Sequence, residues 1–203
     1  MATTKNSNCS LKDIELQLWQ KYKIIAGVDE AGRGALAGPV FAGAVILPPF
    51  SNLPLKDSKL LSPKERIELF FLIKEKAISW SYGYALVEEI EKFGILNAVF
   101  LAMKRAILNL KIKPDYVIVD GNKTIPDLPF PQEAIVKGDR LCKSISGASI
   151  VAKVLRDKFM EEIDEKYPIY GFKKHKGYPT KEHRKNIICF GPSDIHRKTF
   201  KLI

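Results

Sequence analysis

The chain has 203 residues, 46% of them hydrophobic, which suits one domain with a substantial core. No apolar run approaches the roughly 20 residues needed to span a bilayer. The polar start MATTKNSNCS lacks the apolar core of a secretory signal, and Asp13 and Glu15 argue against a transit peptide. Thirty-three Lys and Arg against 23 Asp and Glu give a net charge of +10, and Gly171 to Ile203 alone holds nine bases and two acids. Such a field suits a polyanion such as nucleic acid, and charge alone favours solubility just as much.

Three cysteines, Cys9, Cys142 and Cys189, are scattered and form no C-x-x-C pair, so neither a disulfide framework nor a zinc knuckle is expected. Their usage fits a reducing cytoplasm.

Residues up to Ser10 read as a tail, and Ser10 can cap a short helix from Leu11 to Tyr22 with Leu11, Ile14, Leu18 and Trp19 on one face. Ile24 to Asp29 reads as a buried strand. Val40 to Leu47 is a second, closed by Pro48-Pro49 and near enough to the first to form a hairpin. Asp57-Ser58-Lys59 precedes a helix that Ser62 caps and Pro63 opens, running to about Ser79. Trp80 to Val87 alternates as a third strand, and Ile95 to Leu110 is an amphipathic helix. Tyr116 to Val119 is a compact strand stopped by Asp120-Gly121, and Glu133 to Val136 a short fifth one entering Lys137-Gly138-Asp139. Ser144 to Tyr167 is the longest helical stretch. From Pro168 the chain is basic and punctuated by Gly and Pro. This order predicts an α/β sheet with helices packed on it and a basic region folded over or beside it.

At three places an apolar strand delivers acid at its C-terminal end: Asp29-Glu30, Asp120 and Asp139. Strand ends are where sites assemble in open α/β sheets, and acids gathered there repel unless hard cations such as Mg²⁺ sit between them. Two such ions can clamp the attacking and leaving oxygens in phosphoryl transfer. Taken singly, Asp120 and Asp139 are as readily turn residues. The adjacent Asp29 and Glu30 point to opposite faces of a strand, so both join one site only if the chain turns at Glu30, where Gly32 and Gly34 supply the turn. Asp157 lies too far along a helix to share a metal site with Asp139 and reads as a packing or surface residue paired with a nearby base.

Gly32-x-Gly34-x-x-Ala37 satisfies the dinucleotide-binding pattern literally. Two acids just before it and a strand just after it argue against a pyrophosphate site. Arg33 between glycines fits a backbone lying close to a sugar–phosphate chain, where amides reach a 2′-hydroxyl. Alone, the same three residues are an ordinary tight turn.

In combination, GVDEAGRGALAGPV, DSKLLSPKER, VIVDG, VKGD with SISGASIVAKVLRD, GFKKHKGYPTKEH and GPSDIHRKTF resemble the prokaryotic type 2 ribonuclease H family (ribonuclease HII) from about Ile24 to Phe200. The resemblance implies a ribonuclease H-like mixed five-stranded sheet flanked by helices, with a basic helical and loop C-terminal region. It implies an N-terminal tail and short helix over 1–22 and a single catalytic domain over 23–203. It assigns catalysis and metal binding to Asp29, Glu30, Asp120 and Asp139, holding two Mg²⁺ or Mn²⁺ ions. The expected reaction is hydrolysis of RNA in RNA–DNA hybrids and cleavage 5′ of single ribonucleotides in duplex DNA, leaving 3′-hydroxyl and 5′-phosphate ends. Gly32, Arg33 and Gly34 would read the 2′-hydroxyl, and Tyr178 would sit against the ribonucleotide. By their own chemistry Ser58 and Lys59 are candidates for phosphate contact, and Lys59 equally suits capping of nearby carbonyls. The expected partners are RNA–DNA hybrid and ribonucleotide-containing duplex DNA, with no membrane, for a cytoplasmic monomer. Asp139 and Arg33 favour this type over the sister ribonuclease HIII family, which typically has glutamate as its fourth acid and no arginine in the turn. A non-catalytic nucleic-acid binder would have no reason to collect acids beside phosphate.

Among lesser candidates, Lys137 could temper the acids or touch phosphate. His175, His183 and His196 match no zinc spacing and suit phosphate contact or packing. Ser144, Ser146 and Ser149 read as helix caps, and Lys153 and Arg156 as local pairs or packed stems.

Overall fold

The computed structural model describes residues 13–55 and 61–203. Strands β1 (Ile25–Ala31), β2 (Val40–Ile46), β3 (Ser79–Ala85), β4 (Tyr116–Asp120) and β5 (Gln132–Ile135) form one five-stranded sheet in the order β3-β2-β1-β4-β5. The first three are antiparallel neighbours, as the short connections predicted, and β1-β4 and β4-β5 are parallel. Eight helices accompany it among the described residues: α1 (Asp13–Trp19), α2 (Pro63–Lys76), α3 (Val87–Phe93), α4 (Ile95–Leu108), α5 (Gly138–Leu141), α6 (Lys143–Lys166), α7 (Phe172–His175) and α8 (Lys181–Phe190). None is long and apolar enough to cross a membrane.

The two main helices lie on opposite faces of the sheet, and glycines set their distance. A Cβ on Gly27 of β1 would stand 2.2 Å from the Ser144 carbonyl carbon, and one on Gly43 of β2 2.2 Å from the Ala148 oxygen. On the other face, a Cβ on Gly83 would stand 2.4 Å from the Ala102 oxygen of α4. Backbone therefore packs on backbone on both sides. Ala26, Val28, Val117 and Val119 form one core layer with Met103, Ala106 and Ile107 of α4, while Ile25, Ile118 and Ile145 lie on the α6 side.

Several boundaries differ from the sequence reading. The first strand runs through Glu30 to Ala31, both paired to β2, and does not stop at Asp29. The third strand ends at Ala85, and Val87–Phe93 is a helix that periodicity missed because it is barely two turns long. The first helix is described only from Asp13 and ends at Trp19, short of Tyr22. Ser62 does cap α2, and its hydroxyl and the Glu65 carboxylate bond reciprocally to backbone. The expected serine caps of α6 are absent. Its N-terminus is instead closed by Glu15 of α1, whose carboxylate accepts the Lys143 and Ser144 amides at 2.9 and 3.0 Å and the Ser144 hydroxyl. A buried carboxylate there is favoured by the helix dipole.

The basic tail folds beside the far half of α6, around a core of Ala37, Met160, Tyr170 and Phe172, and its Phe200 packs against the core on the α4 side.

Candidate active site

Side-chain alternation carries Gly27 and Asp29 to the α6 face of β1, and Ala26, Val28 and Glu30 to the α4 face. Strand β4 pairs Val119 with Val28 and ends at Asp120, so Asp120 closes the sheet beside Asp29. The two acids of β1 meet over that strand end. No turn at Glu30 is needed, which corrects the expectation drawn from the strand alone. Asp29 is 6% exposed. Its carboxyl is pushed well above the ordinary range, first by burial and then by Glu30 and Asp120, and a hydrogen bond from Ser149 of α6 offsets part of this. Glu30 is also raised by burial and by Asp120, against the pull of Arg33, whose guanidinium lies 3.7 Å away.

Asp139 follows β5. Lys137 takes the left-handed conformation at φ 59°, and α5 begins immediately, carrying Asp139 under Asp120, whose Oδ1 accepts the Asp139 amide at 3.3 Å. Asp139 is 5% exposed and is not among the residues lining the cleft over the other three acids. Lys137 itself is exposed.

That cleft, of about 250 Å³, is lined by Asp29, Glu30 and Asp120 together with Arg33, Gly34 and Tyr178. Ser149, Lys153 and Arg66 complete it. A larger groove of about 660 Å³ runs along β3 past Tyr82, Tyr84 and Arg105 and gathers no cluster of acids. The acids singled out by the sequence gather at the smaller cleft.

The turn is built for its shape. Gly32 has φ 92°, and a Cβ there would stand 1.9 Å from Nε of Arg156. Gly34 is different, since a Cβ on it would meet nothing within 4 Å. Its side faces open space, and Arg33 projects beside it with its side chain 57% exposed.

Two arginines hold the turn from beneath. Arg156 of α6 donates to the carbonyls of Pro39, Ala37 and Lys176 at 3.0, 3.2 and 3.0 Å. Arg197 donates to those of Gly38 and Arg33 at 2.9 and 3.0 Å. Both are fully buried, so of the two readings of Arg156 packing holds and local pairing does not. The Arg197 guanidinium is lowered to about 9 by burial and by the charge of Arg156. Lys153 does pair locally, with Asp157 at 2.7 Å, and Arg66 stands 3.9 Å from the same carboxylate, as the reading of Asp157 anticipated.

Tyr178 is half-buried, with the Lys153 ammonium 5.3 Å and the Arg156 guanidinium 5.2 Å from its ring centre. The three histidines pack against one another. Ser58 and Lys59 lie outside the described residues. Sequence reasoning missed Ser149, Arg66, Arg197 and the buried role of Arg156. One signal was available: Arg156 repeats with helical period after Ile145, Ser149 and Ala152, all core positions.

Carboxylates without nitrogen or sulfur donors are a hard oxygen set, and their mutual repulsion is relieved by a divalent cation. The residues therefore fit Mg²⁺ or Mn²⁺. Among the described residues no three His, Cys, Asp or Glu close a cage around an ion by themselves. An open, carboxylate-only site suits ions that keep water and substrate oxygens as ligands.

Three antiparallel strands followed by two parallel ones, with acids over the central strand ends, define a ribonuclease H-like fold. The ribonuclease HII family model matches residues 26–203. The chain is 48% identical to ribonuclease HII of Vibrio parahaemolyticus over 99% of its own length and 95% of the relative's. It is 53% identical to that of Christiangramia forsetii over 88% of this chain and 91% of that one. The crystal structure of ribonuclease H2 from Pyrococcus horikoshii OT3 superposes with a TM-score of 0.74 at 27% identity, covering 88% of this chain and 94% of that one. The chain belongs to the ribonuclease HII family, whose members are metal-dependent endoribonucleases acting on RNA–DNA hybrids.

Proposed function

We propose that Asp29, Glu30, Asp120 and Asp139 hold two Mg²⁺ or Mn²⁺ ions. We further propose that the enzyme cuts on the 5′ side of a ribonucleotide, in hybrids and where one stands alone in duplex DNA, leaving 3′-hydroxyl and 5′-phosphate ends. The observation that carries this is one cleft lined both by three carboxylates and by Arg33, Gly34 and Tyr178. Bound divalent cations lower the pKa of a coordinated water and offset charge on the scissile phosphate. The acids orient that chemistry, and Ser149 fixes the Asp29 carboxylate by hydrogen bond. Gly34, with open space where a side chain would be, lets a sugar approach the main chain. Arg33 lies beside it to meet the strand's phosphate or hydroxyl oxygens. Tyr178, already flanked by Lys153 and Arg156, offers its ring to the ribose. Lys153 and Arg66 at the cleft margin add positive charge toward the nucleic-acid backbone. A cytoplasmic setting agrees with an exposed free thiol at Cys189.

The test is a DNA duplex carrying one ribonucleotide, incubated with Mg²⁺, Mn²⁺ or EDTA. Cleavage at one bond with either metal and none with EDTA is expected. Asp29→Asn and Asp120→Asn should lose at least about a thousandfold in rate while still binding the duplex. Full activity in either variant, or cleavage in EDTA, overturns the assignment.

A further inference from the structure

The hydrogen bonds around three histidines fix their protonation without any hydrogen being seen. The Ser193 amide donates to Nδ1 of His196 at 2.9 Å, so Nδ1 is a bare acceptor and Nε2 carries the proton. Nε2 of His196 lies 3.0 Å from Nε2 of His183, which must then accept. The proton of His183 is thereby left on Nδ1, which donates to the Tyr178 carbonyl at 2.9 Å. His175 is fixed in the same way: the Gly177 amide donates to its Nδ1 at 3.2 Å, and its Nε2 donates to the Tyr170 carbonyl at 2.8 Å. The rings of His183 and His196 are 0% exposed. Every ring nitrogen of the three is used, with one proton per ring and a single direction.

The two ends of this chain are what give it meaning. Its start is tied to the glycine turn: His196 makes a backbone bridge with Ala37, three residues past Gly34, and the Arg197 amide donates to the Leu36 carbonyl at 2.8 Å. Its end is the main chain of Tyr178. That carbonyl also accepts the Thr180 amide at 2.8 Å, and the Tyr178 amide donates to the His175 carbonyl at 2.9 Å. Gly177 completes the tie, since its carbonyl accepts the Leu36 amide at 2.8 Å. The turn and the tyrosine, far apart in sequence, are thus joined by one rigid, uncharged bridge.

We infer that His183 and His196 are positioning residues for ribonucleotide selection, a directional relay that sets Tyr178 at a fixed distance from the Arg33–Gly34 turn. This rests on the reading of Tyr178 as the residue that meets the ribose. Burial, which lowers both imidazoles to about 4, keeps the relay neutral at physiological pH. A charged His183 would oppose two N–H groups across the 3.0 Å contact.

Two measurements test it. Nitrogen-15 spectra of the imidazoles at pH 7 should show His196 as the Nε2–H tautomer and His183 as the rarer Nδ1–H tautomer. Finding His183 charged, or protonated on Nε2, overturns the relay whatever Tyr178 does. The second is cleavage of a single-ribonucleotide duplex beside binding of the all-DNA duplex of the same sequence. His183→Leu, which removes the donor to Tyr178, should lower kcat/KM about tenfold with DNA binding within about twofold. His183→Asn, which can still donate from the Nδ1 position, should recover most of that loss. In a Tyr178→Ala background His183→Leu should add nothing further. Equal losses in cleavage and DNA binding, no recovery by Asn, or additive losses in the double variant each overturn the positioning role. If Tyr178→Ala alone leaves kcat/KM unchanged, the reading of Tyr178 fails and the selection role falls with it, while the tautomer spectra still judge the relay separately.

Discussion

Gly27→Ala tests how the sheet and α6 jointly set the site. Gly27 lies two residues before Asp29, and the backbone it touches, Ser144 and Ile145, lies just after Asp139. An added Cβ would stand 2.2 Å from the Ser144 carbonyl carbon and 2.3 Å from the Ile145 amide nitrogen, where ordinary contact begins at 3.4 Å. Both atoms belong to helix backbone, which cannot rotate away, so the start of α6 must retreat from β1 by about 1 Å. Overpacking of this kind costs about 3 kcal/mol, which for a chain of this size lowers Tm by roughly 6–12 °C. The same retreat shifts α5, and with it Asp139, relative to Asp29. A displacement near 1 Å at a reacting centre costs about a hundredfold in rate. Thermal melting and single-turnover cleavage of a hybrid duplex measure the two effects. A Gly27→Ala protein with unchanged Tm and rate would refute the claim that backbone contact here sets the site. So would full activity at the lowered Tm, because stability and geometry are predicted to fall together.

Arg156→Met should destabilise by about 3–5 kcal/mol, since it leaves the carbonyls of Pro39, Ala37 and Lys176 buried without their donor; urea unfolding measures this, and a loss under 1 kcal/mol would contradict it. The share of stability contributed by His183 and His196 should fall with acid between about pH 6.5 and 4, against an opposite contribution from the raised carboxyls of Asp29 and Glu30. His183 and His196 bind protons in the unfolded chain near 6.5 and in the folded one only near 4, so their contribution is complete above 6.5 and lost as the pH drops. The pair should account for about 2–3 kcal/mol, discounted because they share one hydrogen bond, and a His183→Asn protein should show a shallower decline over the same window. Added Mn²⁺ should raise the Tm of the native protein by the amount binding dictates, and raise that of Asp29→Asn far less; an equal rise in both would remove Asp29 from the ligand set.

Much of this protein is legible without coordinates. Apolar runs ending in Asp29-Glu30 and Asp120 announce both the strands and the charge they carry, because alternation and burial are local properties of a chain. Ser62-Pro63 announces the start of α2 for the same reason, since a cap needs only its own first turn. The resemblance to ribonuclease HII likewise resides in local motifs. What tertiary structure alone decided is every contact made across distance. Glu15 closes α6 from 128 residues away, where the sequence suggests the helix's own serines. Asp120 joins Asp29 because β4 pairs Val119 with Val28 and stops one residue later, and register with a distant strand is invisible in β1 itself. Arg156 reads in sequence as a local pair or a packed stem and the three histidines as phosphate contacts or packing, and the structure makes them buried supports of the glycine turn and of Tyr178. Their role depends on which carbonyls and rings the fold brings within 3 Å or so, and no spacing along the chain encodes that.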